Sequence, residues 1–307
     1  MNMKTTQEFV VRPALSTSSL TKYYGKQKGI IDLTLEVSNG EIFGFLGPNG
    51  SGKTTCIRIL MGYIRPTSGT ASVLGLDSVK QSVRIRRRVG YLPGDVSLYG
   101  HLNGEEHLQM VQGIRGKLPK HKVKDLIERF EINMERKIRQ CSRGMRQKVA
   151  LLLAMAHDPE ILIFDEPTSG LDPLMQQTLL YYLKDEQERG KTVFFSSHNL
   201  SEVEAVCDRV AIIKEGKLLV VNNVHEIAHH KQKHVSIMFD EETKIDLSGL
   251  KDMEIIREEK GRLKLVVKGD INELIRRLSK YQLLDVTISE PSLEQAFLKF
   301  FGKEDAS

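Results

Sequence analysis

The sequence predicts an α/β fold: a mostly parallel sheet with an antiparallel β layer and a helical subdomain, followed by a small C-terminal α+β domain. Three observations predict it. Short apolar runs alternate with helical patterns between residues 161 and 213. Helical spacing without strands dominates residues 95–157, and strand patterns return after Asn222. Short apolar strands separated by helices are typical of parallel sheets covered on both faces.

The N-terminal region is predicted to begin with a flexible leader at residues 1–16, which are largely polar. An alternating apolar pattern between Ser19 and Asn39 predicts strands, closed by a turn at Asn39-Gly40. A short apolar strand at Glu41–Leu46 leads into a Gly-rich loop. The further predictions up to residue 92 are a helix at Lys53–Met61, a turn at Arg65–Gly69 and a strand at Val89–Leu92.

The middle of the chain is predicted to form the helical subdomain, at about residues 95–157. Its apolar residues recur with helical spacing in three segments, Gly104–Ile114, Lys120–Phe130 and Arg143–His157. After this subdomain, predicted strands and helices alternate again. The predicted strands are Ile161–Phe164, Thr192–Phe195 and Val210–Ile213, and the helices between them are Leu174–Glu188 and Leu200–Cys207.

Residues 223–307 are predicted to form a separate small α+β domain, near the lower size at which a hydrophobic core suffices. Its expected strands are Val235–Phe239, Ile255–Arg257, Leu263–Lys268 and Leu284–Ser289. Its expected helices are Asn272–Lys280 and Pro291–Phe301, the second with Leu293, Phe297 and Phe300 on one face.

The composition is that of a globular protein. Among 307 residues, 45 Lys+Arg against 40 Asp+Glu leave a net charge of +5, and 28% charged with 40% hydrophobic residues excludes wholesale disorder. Three scattered cysteines show neither metal-type spacing nor a disulfide framework, as expected in a reducing compartment.

No stretch of the sequence is long and apolar enough to cross a bilayer. The longest uninterrupted apolar run is Val149–Ala156, whereas a span needs about 20 residues. The N-terminus lacks the apolar core of a signal peptide. A cytoplasmic location is therefore expected.

The strongest chemical signal is a phosphate-binding P-loop between a strand and a helix. Its residues are Gly47, Pro48, Asn49, Gly50, Ser51, Gly52, Lys53 and Thr54. Glycines allow backbone N–H groups to approach phosphate oxygens, and the helix N-terminus adds its positive dipole end. Lys53 would reach the outer phosphates and the Thr54 hydroxyl would bind Mg²⁺. The alternative is a Gly-rich turn that merely starts a helix, but the pattern and its context favour ATP binding.

A second signal is the apolar strand Ile161–Phe164, which ends in Asp165 and Glu166. Carboxylates at that position lie at the C-terminal edge of the sheet, where open α/β folds bind ligands. Asp165 would hold Mg²⁺ through water, and Glu166 would polarise the water that attacks the γ-phosphate. The alternative is a solvated strand end, which is less favoured because the same chain contains a P-loop.

Three further motifs follow in order: Cys141 to Gln147 before that strand, Ser169 to Pro173 after it, and Ser196-Ser197-His198 at a later strand end. With the P-loop and Asp165-Glu166, this set resembles the nucleotide-binding subunits of ABC transporters. The resemblance covers about residues 17–222. The chain is most similar to the ATPase subunits of ABC-2 type exporters, a group that includes antibiotic-resistance ATPases. The features that carry this similarity are the extra C-terminal domain and the form of the motif from Cys141 to Gln147.

The resemblance implies a P-loop ATPase core and a role for each motif. Tyr24 would stack on adenine, and Thr55 would continue the P-loop contacts. Ser142 and Gly144 would donate to the γ-phosphate of an ATP held by the partner subunit's P-loop in a head-to-tail dimer. Asp172 would lie at the dimer seam, and His198 would hold Glu166 and the water in register, making Glu166, His198 and Lys53 the catalytic set.

The same resemblance implies partners. Hydrolysis would power a separate multi-span membrane permease, so the chain would sit peripherally on the cytoplasmic face of the membrane. A second ATPase subunit, expected to be an identical copy, would complete each ATP site. The direction of transport implied is export.

The sequence departs from the family pattern at two places. Cys141, Arg143 and Met145 replace residues of the usual Leu-Ser-Gly-Gly-Gln motif, while Ser142 and Gly144 remain. Gly94 stands where the family usually has a glutamine that contacts Mg²⁺. Asp95 could take that contact, or the contact is absent.

The sequence also admits other interpretations. Basic residues at Arg84–Arg88 and in Arg143–Lys148 suit solvated helix faces better than a nucleic-acid surface, because no aromatics interleave with them; nucleic acid is not expected as a partner. Irregularly spaced histidines between His225 and His234 are a weak metal signal. The rival functions are a soluble ABC-type ATPase acting on nucleic acid or ribosomes and an ATP-binding regulatory subunit with little turnover.

Overall fold

The computed structural model describes residues 12–224, 233–241, 243, 245–247, 250 and 252–289. The chain divides into two compact units, residues 1–222 and 223–307. Most of the expected leader, the histidines His225, His229 and His230, and the expected helix Pro291–Phe301 lie outside the described residues. The first strand starts at Leu15, so the last two residues of the expected leader are part of it.

A four-stranded antiparallel sheet forms the N-terminal layer of the first unit, in the order β2-β1-β4-β5. Its strands are β1 (Leu15–Tyr24), β2 (Gln27–Val37), β4 (Ser68–Val73) and β5 (Leu76–Asp77). In β2 the side chains of Leu33, Leu35 and Val37 are buried and those between them are exposed. This alternation is the pattern of a strand with one face on the core.

A six-stranded sheet forms the centre of the first unit, in the order β10-β9-β3-β8-β7-β6. Its strands are β3 (Ile42–Leu46), β6 (Val89–Leu92), β7 (Ile161–Asp165), β8 (Thr192–Ser197), β9 (Arg209–Lys214) and β10 (Lys217–Asn223). The four pairings from β9 to β6 are parallel. Every residue of β3, β7 and β8 is buried, as expected for parallel strands covered on both faces.

Four helices accompany these sheets: α1 (Lys53–Leu60), α2 (Ser82–Arg88), α6 (Pro173–Glu188) and α7 (Leu200–Val206). The helical subdomain lies between β6 and β7 and contains α3 (Gly104–Arg115), α4 (Lys120–Arg129), a 3-10 turn at Ile138–Gln140 and α5 (Arg143–Met155). Helix α3 begins with a capping box, in which Asn103 and Glu106 bond each other's backbone N–H. The first unit thus has the parallel sheet, antiparallel layer and helical insert that the sequence predicts.

The second unit contains an antiparallel sheet in the order β12-β13-β11-β14. Its elements are β11 (Lys233–Phe239), β12 (Met253–Glu259), β13 (Arg262–Val267), α8 (Ile271–Leu278) and β14 (Leu283–Ser289). Leu274 and Leu278 of α8 join Ile237, Leu263 and Leu265 in its hydrophobic core. This unit is the α+β arrangement expected after Asn222.

The sequence predictions missed four strands and helices, β4, β5, α2 and β10, as well as the 3-10 turn at Ile138–Gln140. Strand β4 carries the weakly apolar sequence Ser-Gly-Thr-Ala-Ser-Val, and α2 buries only Ile85. A periodic signal needs several buried positions, and neither segment supplies them.

Cys56, Cys141 and Cys207 are buried free thiols. In the part of the chain that the structure describes, no helix combines the length and the apolar character needed to span a membrane.

Candidate active site

Three neighbouring parallel strands end at one edge of the central sheet. Strand β8 lies between β3 and β7, with Leu46 paired to Ser197 and Asp165 paired to Ser196. The P-loop, the pair Asp165-Glu166 and His198 follow directly from these strand ends. Since ligands of open α/β sheets bind at the carboxyl ends of strands, the sheet brings these motifs to one place.

The P-loop requires glycine where it closes on α1. Gly52 is the N-terminal cap of α1 with a φ of 108°, a left-handed conformation that side chains rarely adopt. A Cβ at Gly52 would lie 2.6 Å from the Gly29 carbonyl oxygen, and one at Gly47 would overlap that of Ile213. Ser51 is buried, and its hydroxyl has no hydrogen-bond partner among the described residues. A tight loop at a helix N-terminus with an unpartnered hydroxyl fits a phosphate ligand.

Lys53 points into this loop. Its side chain is 5% exposed, and its Nζ donates to the carbonyl oxygens of Gly47 at 2.6 Å and Pro48 at 3.1 Å. The same Nζ lies 3.4 Å from Oε1 of Glu166. The ammonium therefore lies between the loop that would hold phosphate and the predicted catalytic carboxylate.

Thr54 and Asp165, which the sequence predicts to bind Mg²⁺, are in direct contact. The Thr54 hydroxyl donates to Oδ2 of Asp165 at 2.6 Å, and the buried Ser196 hydroxyl donates to Oδ1 at 2.5 Å. Hydroxyl and carboxylate oxygens with room for water are the ligands that Mg²⁺ prefers. The donor set therefore fits Mg²⁺, although no group of three or more His, Cys, Asp or Glu side chains suited to a metal occurs in the described residues.

The negative charge of Asp165 acts on its surroundings. Burial, reinforced by the Asp165 carboxylate, raises the pKa of the Cys56 thiol to about 12. Burial and the same carboxylate raise the pKa of Tyr91 to about 12. Both side chains therefore stay neutral near pH 7.

Gly94 lies against this carboxylate, while Asp95 beside it is exposed. A Cβ at position 94 would be 3.1 Å from Oδ2 of Asp165. Position 94, where the family resemblance implies a glutamine, thus supplies only backbone next to the predicted metal ligand.

Glu166 is held between two potential hydrogen-bond donors. Its Oε1 faces Lys53, its Oε2 lies 3.4 Å from Nδ1 of His198, and its side chain is 24% exposed. Its backbone is left-handed, with a φ of 49°, and its N–H donates to the Ser196 hydroxyl at 3.0 Å. A strained residue fixed by its neighbours is typical of a site where orientation matters.

His198 is 58% exposed and lies in a turn that hydrogen bonds of its neighbours stabilise. The buried Ser197 hydroxyl donates to Oε2 of Glu202 at 2.7 Å and accepts the Asn199 N–H at 2.9 Å. The turn fixes the backbone on both sides of His198, so its imidazole can contact Glu166 and remain open to a ligand.

Tyr24 and Thr55 lie beside the P-loop helix. The Tyr24 hydroxyl is 3.5 Å from the Thr55 hydroxyl, and Tyr24 is 44% exposed. The ammonium of Lys22 lies 5.4 Å from the centre of the Tyr24 ring. An exposed ring next to the phosphate loop is where an adenine could stack.

Ser142, Gly144 and Asp172 form a second cluster, around the loop from Glu166 to Asp172. Ser142 caps α5 by accepting the Met145 N–H at 3.2 Å, and Asp172 caps α6 by accepting the Met175 N–H at 3.0 Å. Both caps are exposed. The predicted site residues therefore fall into two groups, one at the sheet edge and one at the start of α5 and α6.

Two residues that contribute to these groups were not predicted. Ser196 bonds both Asp165 and the Glu166 backbone, and its only sequence signal is a small hydroxyl residue at a strand end before His198. Arg143, predicted to be a solvated charge, donates to the Ser169 hydroxyl at 2.7 Å. The sequence feature that could have indicated this contact is that Arg143 replaces a glycine of the usual Leu-Ser-Gly-Gly-Gln motif.

Comparisons with known proteins identify relatives of this chain. The ABC transporter family profile matches residues 30–169. The chain is 35% identical over 300 residues to the bacitracin transport ATP-binding protein BcrA of Bacillus licheniformis, which covers 94% of this chain and 97% of that protein. It is 36% identical over 210 residues to the probable multidrug ABC transporter ATP-binding protein YbhF of Escherichia coli, covering 67% of this chain and 36% of that protein.

Solved structures show the same architecture. An ATP binding subunit of an ABC transporter superposes with a TM-score of 0.65 at 30% identity, covering 70% of this chain and 91% of that one. A dimeric ATP-binding cassette bound to ADP and phosphate superposes with a TM-score of 0.62 at 24% identity, over 68% of this chain and 98% of that one. The second likeness bears on the fold alone.

Proposed function

The chain belongs to the ABC transporter family of ATP-binding proteins, and from that premise we propose that it drives an exporter whose membrane-spanning part is a separate permease. The chain binds and hydrolyses ATP and powers a membrane transporter. The observation that carries the proposal is the position of Glu166 between Lys53 and His198, at the sheet edge that also holds Thr54 and Asp165.

The proposed chemistry assigns one task to each residue. The Glu166 carboxylate accepts a proton from water as the water oxygen attacks the γ-phosphorus, and the bond from that phosphorus to the ADP oxygen breaks. Lys53 and the backbone N–H groups of the P-loop stabilise the charge on the phosphate oxygens. His198 is a hydrogen-bond donor that keeps the Glu166 carboxylate oriented toward the water.

Mg²⁺ would be held by the Thr54 hydroxyl and, through water, by the Asp165 carboxylate. When bound, the ion neutralises charge on the β- and γ-phosphate oxygens. The hydrogen bond from Ser196 to Asp165 and the contact with Gly94 support this assignment, because they leave Oδ2 of Asp165 directed toward Thr54.

Each complete ATP site would include a second copy of the chain in a head-to-tail dimer. Ser142 and Gly144 open α5 and Asp172 opens α6, and the two capping side chains are exposed. A helix N-terminus that faces outward can bind a phosphate carried by another subunit.

Export through a permease is supported by the relatives. BcrA is named for bacitracin transport and YbhF for multidrug transport. The described residues contain no membrane-spanning helix, so the pathway for a transported compound would belong to another polypeptide. The chain would act on the cytoplasmic face of the membrane, bound to that permease.

Affinity purification of Glu166→Gln protein tests the proposal. The tagged variant is recovered from detergent-solubilised membranes with ATP, and the bound proteins are identified by mass spectrometry. A multi-span membrane protein in stoichiometric amount is expected. Ribosomal proteins or salt-sensitive nucleic acid without a membrane partner would contradict the transporter function.

A further inference from the structure

The first turn of α5 contacts the loop between β7 and α6, residues 166–172, at three points. The Arg143 guanidinium donates to the Ser169 hydroxyl at 2.7 Å. The buried amide of Gln147 donates to the Pro167 carbonyl oxygen at 2.8 Å. Gly144 completes the contact, because a Cβ there would lie 2.6 Å from the Gly170 carbonyl oxygen. These contacts join the loop directly to the start of the helix.

Arg143 makes a contact with the loop that a shorter side chain could not make. A Cβ at Gly170 would lie 3.0–3.2 Å from Cγ, Cδ and Nε of Arg143, so the aliphatic stem runs across the backbone of that glycine. Gly170 has a φ of +79°, which suits glycine. The stem thus packs on the loop while the guanidinium bonds it, although the residue is exposed to solvent.

The loop that Arg143 holds connects two functional positions. It begins at Glu166, whose carboxylate faces Lys53 of the same chain, and ends at Asp172, which caps α6. The helix on the other side of the contact begins at Ser142. In the proposed dimer, Ser142 and Gly144 face the ATP held by the partner's P-loop, whereas Glu166 serves the ATP of its own chain.

We propose that Arg143 is a positioning residue that couples the two ATP sites of the dimer. ATP bound at the partner's P-loop orders the start of α5, and Arg143 transmits that order through Ser169 and Gly170 to the orientation of Glu166. Because coupling between binding sites is reciprocal, each site favours ATP at the other. The inference rests on the proposed head-to-tail dimer.

ATP titrations of hydrolysis by the purified full chain test this coupling. The wild type is expected to respond cooperatively, with a Hill coefficient above 1 and bounded by about 2 for two sites. Arg143→Ala, which removes stem and guanidinium, is expected to bring the coefficient to about 1. A purely structural loss would lower turnover and leave the shape of the titration unchanged.

Two milder variants separate the parts of the contact. Arg143→Met keeps the aliphatic stem on Gly170 and loses the hydrogen bond, and Ser169→Ala removes only the acceptor. Both are expected to lower the Hill coefficient, and the double variant is expected to lower it no further than either one, because both remove the same bond. The matched control is Arg84→Ala, at an exposed arginine of α2, which is expected to keep wild-type cooperativity.

The outcomes distinguish this inference from the proposed function. ATP-dependent dimerisation of Glu166→Gln protein, measured by light scattering after gel filtration, tests the dimer itself. If that dimer forms and the Arg143 and Ser169 variants retain the wild-type Hill coefficient, Arg143 does not couple the sites. A non-cooperative wild type that dimerises has the same consequence. If no dimer forms, the proposed dimer is contradicted, and the coupling inferred from it is contradicted with it.

Discussion

Two helix N-termini of this protein are suited to phosphate, and they are built in opposite ways. The start of α1 lies within a closed site: Lys53 is buried, Gly47 and Gly52 touch neighbouring backbone, and Glu166 lies 3.4 Å from the ammonium. The start of α5 is exposed and is capped only by the Ser142 side chain. In the proposed function the first site has its catalytic groups in the same chain, whereas the second would bind a nucleotide held by another subunit.

The largest expected effect is at the closed site. Glu166→Gln is expected to lower the rate of hydrolysis by about 100-fold or more, because the amide cannot accept the proton of the attacking water. ATP binding should persist, since Lys53 and the P-loop are unchanged. Phosphate release and binding of a fluorescent ATP analogue measure the two properties.

The control for this variant is Glu160→Gln, which removes one charge of the exposed pair with Arg88. It is expected to hydrolyse ATP at the wild-type rate. Hydrolysis by Glu166→Gln near the wild-type rate would show that another group is the base.

Alanine substitutions at two P-loop glycines are expected to distinguish two costs of an added Cβ. One is steric overlap with a neighbouring strand, and the other is strain of a left-handed backbone. Gly47→Ala should abolish ATP binding and lower the free energy of unfolding by several kcal/mol, about 2–4, because its Cβ would overlap the Ile213 carbonyl oxygen. Gly50→Ala meets no atom within 4 Å but keeps a φ of +79°, so a cost of about 1 kcal/mol is expected. Thermal melting and ATP binding measure both.

The matched control is Gly113→Ala in α3, where no atom lies within 4 Å and no left-handed φ is required. Alanine there should raise the stability by about 0.5–1 kcal/mol. A loss for Gly47→Ala no larger than that for Gly50→Ala would mean that the contact with β9 is not the main constraint on the loop.

The attachment of α5 to the central sheet is expected to depend on pH. Burial, with help from the nearby Arg115 charge, lowers the pKa of His157 to about 4, and its Nε2 lies 3.3 Å from the Val89 carbonyl oxygen. An unfolded histidine has a pKa of about 6.5. Between these values the unfolded chain binds more protons, so stability is full above about pH 6.5 and falls toward pH 4.

The expected loss is about 1–2 kcal/mol, allowing for the partial exposure of the ring. Urea unfolding of the wild type and of His157→Gln across that window measures it. The variant should show a shallower loss than the wild type. Parallel curves would mean that other groups cause the acid sensitivity.

A smaller effect on stability than that of Gly47→Ala is expected at the open helix start. Ser142→Ala removes the cap of α5 and should lower the free energy of unfolding by about 1 kcal/mol. In the monomer, ATP binding should be unchanged, because the P-loop is intact, while hydrolysis in the dimer should fall. Chemical denaturation, ATP binding and hydrolysis are the three measurements.

Asp172→Asn serves as the comparison, because asparagine also caps helices well. It should keep the stability of α6, and any fall in hydrolysis would then report on the dimer seam. A Ser142→Ala monomer that loses ATP affinity would show that the two helix starts are not independent.

The sequence predicted most of the closed site because its motifs are local. A strand followed by glycines, Lys53 and Thr54 is typical of a phosphate-binding turn into a helix. Asp165 and Glu166 were found because they end an apolar strand. By contrast, Ser196 acts through a side chain that reaches the neighbouring strand, and no local pattern shows which strands are neighbours.

The sequence by itself thus determined the α/β class, the order of the motifs and the residue types that can bind ATP and Mg²⁺, because these depend on local periodicity and on the chemistry of short segments. The tertiary structure alone decided the contact of Arg143 with Ser169, the strained backbone of Glu166 and its position between Lys53 and His198. These features depend on which strands pair and which helix packs on which loop, and such contacts between distant residues leave no periodic trace in the chain.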